Sequence, residues 1–214
     1  MSRGVDIAMK KQPRQRRAQV TVDAMVTAAD ELLCALPYES VTTNRIAERA
    51  GVGIGSLYQY FPNKESIVAR VVTQWVETMV AEVAELLAGT ARLELSEAAL
   101  SMVKALFEVV DRNRVKVRLI LEVIPYAFQI PAVAVLPQQL VLMAAQSQAS
   151  FRDRLHFARP AAASYVLMVM SRASIIESVL HCPPHLDRRD VERTIADFIA
   201  RILLGNETAA PAAA

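Results

Sequence analysis

Residues 41–65 read VTTNRIAERAGVGIGSLYQYFPNKE, and this stretch decides the fold of the N-terminal part of the chain. The small side chains of Ala47 and Ala50 permit a close helix crossing. Gly51 ends the first helix, because glycine adopts a left-handed cap without steric cost. Pro62 interrupts the second, short helix. The spacing therefore predicts two helices joined by a tight turn.

Helices are also predicted on both sides of this motif. Apolar residues recur every three or four positions from Val22 to Leu36, which predicts a first helix that Pro37 ends. A fourth helix opens around Asn63 to Ser66 and carries an apolar face as far as Val83. The N-terminal unit is therefore predicted to contain three helices, and the fourth links it to the rest of the chain.

The rest of the chain is also predicted to be helical. Only 6 glycines among 214 residues, with 53% hydrophobic residues, favour an all-α fold of about nine helices over a sheet. Pro125, Pro131 and Pro137 predict an irregular segment, because each forbids a mid-helix hydrogen bond. The later helices are predicted at about 94–111, 113–123, 137–156, 160–180 and 187–204.

Positive charge is concentrated at the N-terminal end. Residues 1–64 contain nine Lys/Arg against six Asp/Glu, a net +3, whereas the remaining residues carry a net −1. A polyanion is the natural partner for this end of the chain. Arg14, Arg16 and Arg17 are expected to reach phosphates or the minor groove. A solvated, disordered tail is the alternative interpretation of residues 1–17.

The short helix of the motif carries side chains suited to the major groove of DNA. Gln59 can form paired hydrogen bonds with adenine, and Ile54 can contact a thymine methyl group. A helical hairpin buried in a core is the alternative, but it gives no reason for polar residues on the exposed sides. Donors stand at helix starts and edges, where phosphate oxygens would lie; they are Thr42, Thr43, Ser56, Tyr58, Tyr60 and Lys64.

Residues 20–65 resemble the DNA-binding domain of the TetR (tetracycline-repressor) family. The shared pattern is a Thr-Thr opening followed by Ile-Ala, Ala-Gly-Val, Leu-Tyr-x-Tyr-Phe and Lys-Glu. The resemblance implies phosphate contacts by Thr42, Thr43, Tyr60 and Lys64. It implies contacts with bases or the adjacent backbone by Asn44, Ile54, Gly55, Ser56, Tyr58 and Gln59. Arg45 and Gly53 complete the expected DNA-binding set, although Gly53 departs from the Ser or Thr that commonly caps this helix in the family.

The resemblance also implies a homodimer, a larger helical ligand-binding domain and repression that a ligand releases. The expected organisation is a basic flexible arm at 1–17, a DNA-binding domain at 18–64, an effector-binding and dimerisation domain at 65–206, and a disordered tail at 207–214. Large apolar side chains suit an apolar or amphipathic effector, with ordinary core filling as the alternative for each. They are Trp75, Met79, Met102, Phe107, Tyr126, Phe128, Met143 and Phe151.

The last two predicted helices carry apolar residues on more than one face. They are expected to pair with the same helices of a twofold mate, forming a four-helix interface. A buried central helix is the alternative. The expected interface residues are Val169, Ile176, Val179, Leu180, Ile195, Phe198 and Ile202.

Other classes of function lack support in the sequence. The chain has no G-x-S-x-G, no glycine-rich phosphate loop and no H-E-x-x-H, so no enzymatic activity or catalytic residue is predicted. His181, Cys182 and His185 supply three of the about four ligands that zinc requires, so no metal and no cofactor is predicted. Cys34 and Cys182 lack a disulfide framework, and no signal peptide or membrane span is visible. A cytoplasmic protein without a membrane partner is therefore expected.

The expected function is that of a ligand-responsive repressor that binds a palindromic, double-stranded operator as a homodimer. Its two recognition helices would lie ~34–36 Å apart, about one turn of B-DNA. An activator or architectural protein with the same DNA-binding motif but no small-molecule effector is the alternative. The sequence does not separate these two hypotheses, and it does not identify the effector.

Overall fold

The computed structural model describes residues 5–90, 95–149 and 159–204, and all the regular structure in these ranges is helical. The prediction of an all-α fold is confirmed. The α-helices are α1 (Arg16–Ala35), α2 (Thr43–Arg49), α3 (Ile54–Tyr60), α4 (Lys64–Thr90), α5 (Leu95–Arg112), α6 (Arg114–Arg118), α7 (Pro131–Ala149), α8 (Pro160–His181) and α9 (Arg188–Leu204). Short 3-10 turns occupy Tyr38–Ser40 and Ala127–Gln129, and a π-helical turn occupies Leu119–Val123.

The described residues form two compact units. The first contains the described chain up to Thr78 together with Val115–Val135, and the second contains the described parts of Met79–Arg114 and Leu136–Ala214. Helix α4 contributes its first turns to the first unit and its remainder to the second. The domain limits expected at residues 17, 64 and 206 stay predictions.

The core of the first unit holds the helices of the sequence motif together. α1 packs on α2 and α3, and α2 packs on α3. Met25 of α1, Ile46 of α2 and Leu57 of α3 are each 0% exposed. The buried indole of Trp75 donates a hydrogen bond to Asp30 Oδ1 of α1 at 2.9 Å, which satisfies the only polar atom of that side chain. Burial of these apolar faces stabilises helices that are too short to persist alone.

The second unit is built around α5, α8 and α9, which pack on one another. Its core side chains recur at helical spacing, so each helix buries one stripe. The buried residues are Val103, Phe107, Leu167, Ile175, Val179, Ala196 and Ile199. Arg188 at the start of α9 lies 2.8 Å from Asp111 of α5, an exposed ion pair of small energetic weight.

The structure corrects two of the predicted boundaries. α1 begins at Arg16 rather than Val22, because its first turns are polar and exposed and lack the apolar stripe that marks a helix in the sequence. α7 begins at Pro131 and contains Pro137, so the expectation of an irregular segment up to residue 137 is wrong. Proline at a first helical position needs no N–H partner, and Pro137 removes one backbone hydrogen bond from an otherwise continuous helix.

No helix in the described ranges is both long enough and apolar enough to cross a membrane.

Substitution of two glycines of the motif by alanine should have opposite effects on the free energy of unfolding. Gly51 has a φ of 67°, whereas Gly55 lies inside α3, and an added Cβ meets nothing within 4 Å at either position. Gly51→Ala should lower the free energy of unfolding by about 1–2 kcal/mol, because alanine disfavours the left-handed region. Gly55→Ala should raise it by up to about 1 kcal/mol, because alanine favours a helix. Urea denaturation of both variants measures this, and a decrease of equal size in both would contradict the backbone argument.

Candidate nucleic-acid interface

α2 is capped at both ends, and a tight turn joins it to α3. The side chain of Thr42 accepts a hydrogen bond from the backbone N–H of Arg45 at 3.3 Å and so caps α2. After Gly51, the N–H of Val52 donates to the carbonyl of Ala47 at 3.0 Å and closes the end of the helix. Gly53 provides no side-chain cap for α3. The turn therefore fixes where α3 starts.

One face of α3 is buried and the other is exposed. Leu57 and the following Phe61 are both 0% exposed, whereas Ile54 is 39% and Tyr58 is 42% exposed. Gln59 is also exposed. The remaining predicted residues of this surface are Gly53 and Gly55, which are exposed, and Ser56 and Tyr60, which are half-buried. Four of the residues predicted to face bases or the adjacent backbone thus lie on the outer face of this short helix; they are Ile54, Gly55, Tyr58 and Gln59.

Several of the predicted phosphate donors line one shallow depression beside this face. The depression is lined by Thr42, Thr43, Tyr58 and Lys64, together with Glu39, Val41, Pro62 and Asn63. Thr43 Oγ1 and Tyr58 Oη lie 3.1 Å apart, which joins the start of α2 to α3. Lys64 is the first residue of α4, where the helix dipole favours an anion. The depression thus combines hydroxyl donors, an ammonium group and a helix N-terminus with one carboxylate, that of Glu39.

Lys64 is held in place by Tyr38. Its Nζ donates a hydrogen bond to the carbonyl of Tyr38 at 3.3 Å and lies 3.9 Å from the centroid of the Tyr38 ring.

Asn63 caps α4, since its Oδ1 accepts from the N–H of Ser66 at 2.8 Å. Its Nδ2 donates to the carbonyl of Asp6 at 3.0 Å, which ties the N-terminal arm to the same place.

The described part of the arm contacts the end of α3. The backbone N–H of Lys10 donates to the carbonyl of Tyr60 at 2.8 Å, and Lys10 Nζ donates to the carbonyl of Tyr58 at 3.3 Å. Carbonyls in the last turn of a helix have no partner within the helix, and a cation there also interacts favourably with the dipole. Lys10 therefore completes the C-terminus of α3.

The two arginines of α2 make contacts within the protein. Arg45 Nη1 donates to the carbonyl of Ser40 at 3.0 Å, and Arg49 forms an exposed ion pair with Glu31 of α1 at 2.6 Å. Asn44, between Thr43 and Arg45, is exposed. Arg45 and Asn44 thus stay accessible at the edge of the interface, and the guanidinium of Arg45 is oriented by the Tyr38–Ser40 turn.

The residues predicted for the effector site are divided between the two units. Trp75 and Tyr126 are buried in the first unit, where Phe128 is 64% exposed. Phe107 belongs to the core of the second unit, in which Met79, Met102 and Met143 are half-buried. Phe151 lies outside the described residues. Their role in effector binding stays a prediction.

The residues predicted for the dimer interface occupy different faces of α8 and α9. Phe198 is 62% and Ile202 is 43% exposed, whereas Val179 is buried in the core of its own unit. Leu180 and Ile195 pack against that core, and Val169 and Ile176 are half-buried. The interface therefore remains a prediction, with its most accessible part on α9.

The segment from His181 to His185 contains three side chains that could bind a metal ion, His181, Cys182 and His185. Within the described ranges, no group of three or more His, Cys, Asp or Glu side chains could hold an ion. His181 Nδ1 lies 3.3 Å from Glu177 on α8. Cys182 and Cys34 are both free.

Three residues of the interface make contacts that the sequence does not predict. They are Tyr38, Lys10 and, in its contact with the arm, Asn63. Tyr38 lies in a short turn without periodicity, and it meets Lys64 only because the chain folds back. Lys10 adds to the positive charge of the N-terminal end, but charge alone does not indicate a contact with two helix carbonyls. Asn63 was identified as a helix start, which is its capping role.

Comparison with known proteins identifies a family for the N-terminal segment. Residues 26–71 match the family model described as bacterial regulatory proteins, tetR family. This range includes α2, α3 and the first turns of α4. The chain has no significant match among curated proteins.

Solved structures share the fold over most of the chain at low sequence identity. A protein from Mesorhizobium loti described as a TetR-family transcriptional regulator has a TM-score of 0.69 at 16% identity, over 88% of this chain and 98% of its own. FadR from Bacillus subtilis, solved in complex with stearoyl-CoA, has a TM-score of 0.61 at 15% identity, over 84% and 98% of the two chains. RolR in complex with resorcinol has a TM-score of 0.58 at 16% identity, over 89% and 90%.

Removal of residues 1–11 should loosen the end of α3 without changing the second unit. The deletion removes the donors to Tyr58 and Tyr60, and each lost hydrogen bond should raise local opening by about fivefold. Amide hydrogen exchange measures this at Tyr60 and Phe61, with the amides of α9 as an internal control. Equal protection of α3 in the full-length and truncated proteins would show that the arm does not support this helix.

Proposed function

We propose that this chain is a ligand-responsive repressor. The premise is that residues 26–71 form a DNA-binding domain of the tetR family of bacterial regulatory proteins. It binds a palindromic operator as a homodimer, and a small apolar or amphipathic effector releases it. The role is regulatory, and the proposal assigns no enzymatic activity to the chain.

The exposed face of α3 beside the depression is the observation that carries the DNA-binding proposal. Ile54, Gly55 and Gln59 point away from the core, in a helix thin enough to enter the major groove. The depression offers hydroxyls and the ammonium of Lys64 to phosphate oxygens. Base-reading groups thus stand next to phosphate-binding groups, which is the arrangement that a recognition helix requires.

Apolar residues exposed on α8 and α9 support the homodimer. Val166 is 50%, Met170 is 54% and Phe198 is 62% exposed within a single chain. A shallow apolar groove on the same two helices is lined by Arg159, Ala162, Ala163, Val166, Leu167, Met170 and Ile202. Clustered exposed apolar side chains are typical of an interface, and a twofold axis would let the same patch cover itself.

Two buried polar atoms in the second unit support an effector with a polar end. Among the described residues, neither Glu82 Oε2 nor Arg172 Nε has a hydrogen-bond partner. Buried polar groups are ordinarily hydrogen-bonded, so a bound ligand or water would satisfy them. The complexes of the structural neighbours, one with stearoyl-CoA and one with resorcinol, agree with an effector that combines apolar and polar parts.

In the proposed mechanism, the effector shifts an equilibrium between two conformations. α4 begins at Lys64 in the DNA-binding unit and continues to Thr90 in the second unit, so a tilt of this helix would move the recognition helices. Their separation would then no longer match the ~34–36 Å between successive major grooves. Release requires that the effector bind the non-matching conformation more tightly.

Substitution of Lys64 and Gln59 should separate phosphate contact from base reading. Lys64→Ala should weaken binding to every duplex. It should reduce the steepness of log affinity against log salt by about 2, because the homodimer loses one phosphate contact in each protomer. Gln59→Ala should remove about 1–3 kcal/mol of discrimination at one base pair of each half-site. In vitro selection with wild type and both variants, followed by gel-shift titrations, measures this. Unchanged affinity and unchanged base preference in both variants would refute the assignment.

Charge placed on the exposed face of α9 should disrupt the dimer. Phe198→Glu should raise the dimer dissociation constant by at least about tenfold, because the face would bury an unpaired charge. Leu142→Glu on α7 is the matched control, since Leu142 is 63% exposed against 62% for Phe198. Sedimentation velocity measures the assembly. A monomeric wild type, or equal effects of the two substitutions, would argue against this interface.

A further inference from the structure

Two tyrosine hydroxyls meet inside the first unit, far apart in the chain. Tyr38 Oη and Tyr126 Oη lie 3.0 Å apart, at a sequence separation of 88 residues. Tyr126 is 4% exposed, and its neighbours Ile124, Ala127 and Ile130 are 4%, 0% and 1% exposed. The backbone N–H of Gln129 donates to the carbonyl of Tyr126 at 2.9 Å. Packing and backbone bonds thus fix the position of Tyr126.

The other side of Tyr38 holds Lys64. The Tyr38 ring lies under the Lys64 ammonium at 3.9 Å, and the Tyr38 carbonyl accepts its hydrogen bond at 3.3 Å. A long lysine side chain otherwise samples many rotamers, and fixing it in advance lowers the entropy lost when it binds an anion. Tyr38 is therefore the shared partner of Tyr126 and Lys64.

The hydrogen bond between the two tyrosines persists at neutral pH. Burial raises the pKa of Tyr126 above its ordinary value, and the bond with Tyr38 raises it further. Burial raises the pKa of Tyr38 as well. Both hydroxyls therefore keep their protons, and one of them always has a proton to donate.

We propose that Tyr126 is a positioning residue for DNA binding, which acts through Tyr38 on Lys64. Its hydroxyl orients the Tyr38 ring, and the ring and carbonyl of Tyr38 hold the ammonium of Lys64. Lys64 lines the depression together with Thr42, Thr43 and Tyr58. This inference rests on the proposed DNA-binding function and adds to it a residue outside the helix-turn-helix.

The test is a double-mutant cycle between Tyr126 and Lys64. Tyr126→Phe removes one oxygen and keeps the ring in the core, and it should weaken DNA binding by about three- to tenfold. Tyr38→Phe should have the same effect. In a Lys64→Ala background, Tyr126→Phe should change the affinity by less than about twofold, because the group that it positions is absent. Fluorescence anisotropy with the selected operator and with an unrelated duplex measures the affinity of wild type, the three single variants and the double variant. Tyr126→Phe should weaken binding to both duplexes alike.

Thr73→Val is the matched control for the lost hydroxyl. Thr73 Oγ1 donates to the carbonyl of Ala69 within α4 at 2.8 Å, in the same unit but away from Tyr38 and Lys64. It should lower the melting temperature as Tyr126→Phe does and leave DNA affinity unchanged. A Tyr126→Phe affinity equal to that of wild type, or a loss that persists in the Lys64→Ala background, would overturn the inference alone. A wild type that binds neither duplex would overturn the proposed function with it.

Discussion

The burial of one side of α3 is the constraint on which the rest of the structure depends. An isolated helix of this length does not persist in water, so Ile54–Tyr60 is helical only because Leu57 and the adjoining Phe61 are fully buried in the core of the first unit. Once these two side chains are fixed inward, the 3.6-residue repeat leaves the residues on the opposite face in solvent. The core of the small unit and its exposed reading surface are therefore set by the same packing.

Polar contacts at the ends of the short helices complete this arrangement. Thr42 caps α2, Asn63 caps α4, and Lys10 supplies partners for the last carbonyls of α3. Two of these residues, Thr42 and Asn63, also line the depression beside α3. An anion in the depression would therefore contact residues that also cap helices. For this reason we expect helix stability and phosphate binding to depend on the same positions.

The sequence predicted the elements whose causes are local. Gly51 has the positive φ that its position in the turn requires, and Pro62 separates α3 from α4 as expected. α8 and α9 follow the predicted ranges closely, because Pro160 and the prolines after Cys182 mark their limits. Contacts between distant residues were not predictable. Periodicity does not indicate that Tyr38 meets Tyr126, and a single chain does not show whether the exposed apolar face of α9 meets a second copy.

Substitution of single atoms in the selected duplex shows which groove of DNA α3 enters. Replacing each purine in turn by its 7-deaza analogue removes only the N7 acceptor in the major groove. We expect weaker binding at two clusters of positions, related by a twofold axis and centred about one helical turn apart. Binding that is unaffected by every such replacement would show that α3 does not read the major groove.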